Sequence, residues 1–179
     1  GGVGTFAIQL AKLMGATVAT TASEASEELV RSLGADEVIN YKTDKFEDIL
    51  GNYDAIFDTL GGISLEKSFQ VLKSGGKIVS ISGLPNARFA RERELGFLKT
   101  MLLSLVSRKL TKLEKKHLVQ YTYLFMKSSG DQLKMITDFI ESGKIKPKID
   151  RIFSFEDAQK AIEYSESGRA KGKIILKIK

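Results

Sequence analysis

The chain opens on Gly1-Gly2-Val3-Gly4 and runs at once into apolar residues at helical spacing: Val3, Ala7, Leu10, Ala11 and Met14. A glycine-rich turn that becomes a helix narrows the choice of fold sharply. Glycine lets the backbone approach an anion, and the unpaired amides of the first helical turn, with the helix dipole, favour negative charge. Gly1 and Gly4 match the last two glycines of G-x-G-x-x-G. The first glycine and the strand that should precede it lie outside these 179 residues. A glycine pair before a helix also suits a plain tight turn. What raises the nucleotide reading is the pattern that follows it.

That pattern alternates. Residues 3–14 read as a helix ended by Gly15, and Thr17 to Thr21 as a strand. A second helix is marked by Leu29, Val30 and Leu33, with Ser23 as its expected N-cap and Glu24, Glu27 and Glu28 complementing its dipole. Glu37 to Asn40 is a short strand, Phe46 to Leu50 a short helix, and Tyr53 to Asp58 a strand. Leu65, Phe69 and Leu72 line a helix, and Gly76 to Ser82 is another strand. Such alternation predicts an α/β fold, a doubly wound parallel sheet with helices on both faces and without its first strand in this chain. Residues 87–117 read as helical and highly charged, and Val119 to Lys127 as a half-buried strand. A helix follows around Leu133, Ile136, Phe139 and Ile140. Lys144 to Lys148 is a connector, and Ser154 with Asp157 resembles a capping box before a helix lined by Ala158, Ala161 and Ile162. Gly172 to Lys179 closes as a strand.

Composition removes several function classes. The chain has no cysteine, so it holds no disulfide, thiolate zinc site or cysteine nucleophile. Its one histidine, His117, ends a basic helical stretch and reads as part of a solvated face, not a base. No catalytic residue and no metal ligand stands out. The longest apolar run, near Met101 to Val106, is far too short to span a bilayer, and no signal-peptide pattern is visible, so a cytoplasmic protein with no membrane partner is expected. A net charge of +6, from 28 Lys and Arg against 22 Asp and Glu, suits an anionic ligand but is weak support for nucleic acid, which is not expected as a partner.

Position 23 bears on the cofactor. An acidic residue about 20 positions after the glycines would bond the ribose hydroxyls of NAD. Ser23 stands there instead. A hydroxyl can donate to a 2′-phosphate that a carboxylate would repel, and Tyr41 and Lys42, after the next strand, could reach the same group. NADP is therefore favoured, with NAD the alternative because Glu24 could turn toward a ribose. Asp58, at the end of a strand, reads equally as a cofactor contact or as the cap of the turn into Gly61-Gly62.

Gly1-Gly2-Val3-Gly4-Thr5 with Ala7-Ile8-Gln9-Leu10-Ala11-Lys12 resembles the nucleotide-binding motif of medium-chain dehydrogenases/reductases, in their quinone oxidoreductase and enoyl reductase branch. Leu33-Gly34-Ala35-Asp36 through Asn40-Tyr41, Asp58-Thr59-Leu60-Gly61-Gly62, Leu72 to Lys77, Gly143 to Pro147 and Gly168 to Lys173 follow in the family's order. The resemblance implies a Rossmann-type domain over 1–146, and a segment 147–179 that returns to an N-terminal catalytic domain not present here. It implies that the loop at Gly1, Gly2 and Val3, before Gly4, holds the pyrophosphate and that Ser23 and Tyr41 sit by the adenosine phosphate. Thr59, Leu60, Ser82, Gly83 and Leu84 would border the adenosine and nicotinamide ribose. Phe125 and Met126, with Leu124, would lie beside the nicotinamide, and Arg169 and Lys171 would approach the cofactor. One departure is Ser26, which stands where many relatives place a lysine for the 2′-phosphate.

The activity implied is hydride transfer from NAD(P)H to an enone, enal or quinone without zinc. The chain would be a fragment, inactive alone, of a homodimer paired through the 119–127 edge strand. Three alternatives stay open: a zinc-dependent alcohol dehydrogenase of the same superfamily, an S-adenosylmethionine-dependent methyltransferase, which Ser23 disfavours, and a non-enzymatic nucleotide-fold binding module.

Overall fold

A computed structural model describes residues 1–178. In chain order the elements are α1 (Gly2–Leu13), β1 (Ala19–Ala22), α2 (Glu24–Ser32), β2 (Glu37–Asn40), α3 (Phe46–Ile49), β3 (Tyr53–Asp58), α4 (Gly62–Ser68) and β4 (Leu72–Ser80). Then come α5 (Ala87–Glu92), α6 (Phe97–Val106), α7 (Arg108–His117), β5 (Gln120–Tyr123), α8 (Gly130–Glu141), β6 (Ile149–Ser154), a 3₁₀ turn (Phe155–Asp157), α9 (Ala158–Glu166) and β7 (Lys173–Lys177). Every strand pairing among the described residues is parallel, and strand and helix alternate, as a Rossmann-type α/β fold requires.

The residues form two compact units. The first joins Gly1–Asp44 to the segment from Ser128 onward; the second is Lys45–Lys127. In the first, β1 pairs with β2 and β6 with β7. Its two chain segments are tied by Gln9, a buried amide that donates to the Lys146 carbonyl (3.1 Å) and accepts from the Lys146 amide (2.8 Å). Lys12 and Asp36 pair at 2.8 Å, and Asp36 also accepts from the Val18 amide at 2.7 Å. The lysine hydrogen bond first, then the amide, holds the Asp36 carboxyl below its usual range. In the second unit β3, β4 and β5 lie in that order, and Leu65, Phe69, Leu72, Ile78, Leu110, Val119 and Tyr121 form the core.

Several expectations are corrected. The first strand starts at Ala19, because the carbonyl of Val18 turns to the amides of Asp36 and Glu37. Leu72 opens β4 and is not part of a helix; Gly75, at φ 82°, interrupts the pairing before the main run against β3. Ser23 takes the N-cap position, but its hydroxyl meets Ser26 Oγ at 3.3 Å and bonds no amide. Ser154 likewise bonds the Asp157 carboxylate, and a 3₁₀ turn intervenes before α9. The strand expected over 119–127 runs only from Gln120 to Tyr123. Its partner β4 ends at Ser80, whose carbonyl takes the Leu124 amide, so residues beyond have no strand to pair with. Sequence reading missed β6, although its β-branched and aromatic residues, Ile149, Ile152 and Phe153, are a strand signal.

Candidate nucleotide-binding site

In the first unit Gly1 is the N-cap of α1, and no side chain caps the helix. Thr5 is the first residue whose amide closes a helical bond, to the Gly1 carbonyl at 3.2 Å, so the amides of Gly2, Val3 and Gly4 point out of the helix end. Val3 is half exposed. The backbone of Ala170 to Gly172 lies against this end: a Cβ on Gly2 would stand 3.4 Å from the Gly172 carbonyl oxygen, and one on Gly1 3.9 Å from that of Ala170. A Cβ on Gly4 meets nothing within 4 Å, so close packing does not require a glycine there.

The same segment reaches a second helix end. Lys171 Nζ donates to the Ala25 carbonyl at 2.6 Å, in the first turn of α2 beside Ser23 and Ser26. Ser23 leaves β1 and Tyr41 leaves β2 one residue beyond the in-register pair Ala22 and Asn40, so both emerge at the C-terminal ends of adjacent parallel strands. Tyr41 and Lys42 are exposed. Arg169 is exposed as well, its amide donating to Ser167 Oγ at 3.4 Å. Segment 170–172 thus lies between two helix N-termini, with one lysine aimed at the second.

In the second unit the ends of β3 and β4 are joined by a closed set of hydrogen bonds. Asp58 is buried and its carboxylate accepts from the amides of Leu60 and Gly61 and from Ser80 Oγ, the last at 2.5 Å. Ser80 Oγ in turn accepts from the amides of Ser82 (3.2 Å) and Gly83 (2.7 Å), while Ser82 Oγ donates to the Thr59 carbonyl. Asp58 therefore spends its lone pairs on the turn it heads. Tyr121 is fully buried beneath, donating to the Leu84 carbonyl at 2.8 Å; burial foremost, and then the Asp58 charge, push its phenol up to about 12. Thr59, Leu60, Ser82 and Leu84 are left exposed on two rigid loops at the C-terminal edge of the strands, where open α/β sheets bind ligands. Phe125 and Met126 lie in irregular chain and are exposed.

His117 is half-buried at the end of α7, and burial with the neighbouring Lys116 lowers its pKa below the ordinary value. Among the described residues no group of three or more His, Cys, Asp or Glu is placed to hold a metal ion.

Parallel α/β topology with an uncapped glycine-led helix end defines a nucleotide-binding class. Within it, the chain belongs to the zinc-binding dehydrogenase family, whose model matches residues 33–176, in the medium-chain dehydrogenase/reductase superfamily. It is 36% identical over 99% of its length to the mitochondrial NAD(P)H oxidoreductase RTN4IP1 of Danio rerio, covering 47% of that protein. It is 36% identical over 98% of its length to the chloroplastic NADPH-dependent alkenal/one oxidoreductase of Arabidopsis thaliana, covering 38% of it. The quinone oxidoreductase structure from Coxiella burnetii superposes with a TM-score of 0.80 at 28% identity, over 99% of this chain and 50% of that one. The chain thus spans about half the length, or less, of the curated relatives it matches.

The expectation of a cytoplasmic protein is corrected by these relatives, which carry mitochondrial or chloroplastic names. The expectation rested on the lack of a spanning run and of a visible signal-peptide pattern. No described helix is long and apolar enough to cross a membrane, but that says nothing of compartment.

Proposed function

We propose that this chain is the nucleotide-binding part of an NAD(P)H-dependent oxidoreductase acting on an enone, enal or quinone, with NADPH preferred. The observation that carries the reading is the seating of segment 170–172 between the two helix ends. It leaves the α1 amides uncapped and brings Lys171 to the α2 turn where Ser26 stands in place of a lysine. The donor set fits a dinucleotide phosphate. Uncapped amides at Gly2, Val3 and Gly4 suit a pyrophosphate, and Lys171 with the hydroxyls of Ser23 and Tyr41, and Lys42 close by, suits a 2′-phosphate.

Bound nicotinamide would supply the hydride; the chain's part is to bind, orient and exclude water. Asp58 acts through the loops it pins, presenting Thr59, Leu60, Ser82, Gly83 and Leu84. Within the second unit Phe125 and Met126 offer apolar surface; within the first, Arg169 adds a second cation. The names of the relatives, which include alkenal/one and quinone reductases, support the substrate class. Self-association as a homodimer through the edge of β5 belongs to the same reading.

Calorimetry on the protein at its natural length tests the cofactor. NADPH should bind more tightly than NADH. Lys171→Gln should weaken NADPH roughly tenfold or more, the worth of a hydrogen bond to a charged group, and leave NADH unchanged. Equal losses for both cofactors, or binding of neither, would overturn the assignment.

A further inference from the structure

The second unit carries a surface that the cofactor reading does not use. On α6, Phe97, Leu98, Met101, Leu102 and Leu105 recur at the spacing of one helix face, and all are exposed, Phe97 by 80% and Leu98 by 75%. The half-buried residues of this helix, Thr100 and Leu103, lie on the other side. A chain turn later, α7 presents the complementary element. Leu110 and Leu113 turn into the core, which fixes the opposite face outward. That face holds Arg108, Lys109, Lys112, Lys115 and Lys116, all exposed. Lys109 pairs with Glu66; none of the other four forms an ion pair among the described residues. Between Arg88 and Lys127 there are 10 Lys and Arg against 3 Glu, a local +7 in a chain whose total is +6.

We propose that α6 and α7 together form a docking surface for an anionic lipid bilayer, α6 seating its apolar face among the acyl chains and α7 resting its cations on the headgroups. An apolar helix face beside a cationic one is the pattern of interfacial binding, where buried apolar area and attraction to anionic lipid act together. This is contact with a surface and involves no spanning segment. A second copy of the chain is the poorer occupant, since a two-fold interface there would set one cationic face against its twin. A nucleic acid would satisfy α7 but leave the apolar face of α6 in water.

Flotation of the protein at its natural length tests this, with vesicles of phosphatidylcholine alone and of phosphatidylcholine with an equal part of phosphatidylglycerol. Binding to the second and not the first, weakened by salt, is expected. Lys112→Gln with Lys116→Gln should weaken it roughly tenfold or more, at about 1 kcal/mol per cation. Leu98→Gln with Leu102→Gln should also reduce it. All four positions are exposed, and an unchanged thermal midpoint checks the fold. Absent binding to anionic vesicles, binding indifferent to lipid charge, or binding indifferent to both variants overturns the proposal. So does a dimer that Leu102→Gln dissociates while vesicle binding is unaltered.

Discussion

At the scale of single residues, the second unit's loops depend on glycines whose need is geometric. Gly61 has φ 69° and ψ −161°, a conformation all but closed to other residues, and a Cβ there would stand 2.4 Å from the Ser82 carbonyl oxygen. Gly61→Ala should cost about 1–3 kcal/mol in backbone strain before the clash is added. Gly51→Ala, where nothing lies within 4 Å and φ is ordinary, should cost far less. Urea denaturation of both variants reads the difference; equal midpoints would show that the loop relaxes freely. The glycine pair Gly61-Gly62 was legible in the sequence as a turn. The role of Asp58 was not, because a carboxylate at the end of a strand serves a turn or a ligand equally well. Only the positions of Ser80 and the Leu60 and Gly61 amides show where its lone pairs go. Lys171 was legible only as near the cofactor. Its proposed role as the cation missing at Ser26 rests on its contact with the Ala25 carbonyl, across most of the chain.

Whole elements show what periodicity captures and what it omits. It placed most helices and strands, since apolar spacing reports local geometry directly. It lengthened β5, because Phe125 continues the alternation of Val119, Tyr121 and Tyr123 after the partner strand has ended. It also left the edge of β5 looking free. The outward amide of Tyr121 in fact donates to Glu114 Oε1 at 2.8 Å, and its carbonyl accepts from Arg88 Nη1 at 2.8 Å, with the two side chains 3.6 Å apart. Two charged side chains thus blunt the edge. Pairing of two β5 edges has to displace them. Glu114→Ala should cost about 1–3 kcal/mol by leaving the Tyr121 amide unpaired, and Arg88→Ala less, because the Tyr121 carbonyl also accepts from Asn86 Nδ2 at 3.5 Å; both should raise self-association. Sedimentation velocity with Lys116→Ala as control reads this. Variants that stay at the wild-type association state despite the stability loss would show that the pair does not guard the edge.

For the whole molecule, the α/β order was readable from the chain, and the grouping of its parts was not. The first unit is assembled from both ends of the sequence, held by bonds such as the Gln9 clamp on Lys146, and no local pattern encodes a contact between residues so far apart. That grouping makes a prediction about where a ligand's stabilisation appears. Anything that binds the folded state alone stabilises it, by about 2.7 kcal/mol at a hundredfold excess over its Kd. If NADPH rests on the helix ends of the first unit, slowed amide exchange should concentrate in the first turns of α1 and α2 and in residues 170–172, well separated in sequence. The Leu65–Phe69–Ile78–Tyr121 core, already the best buried part of the second unit, should change little. Exchange measured by mass spectrometry with NADPH, NADH and no ligand separates the cases. NADH should protect the α1 turn but not the α2 turn, where Lys171 awaits a phosphate that NADH lacks. Protection by both cofactors at α2 alike would remove Lys171 from the account of specificity. A raised midpoint with no protection at either turn would move the cofactor off these helix ends altogether.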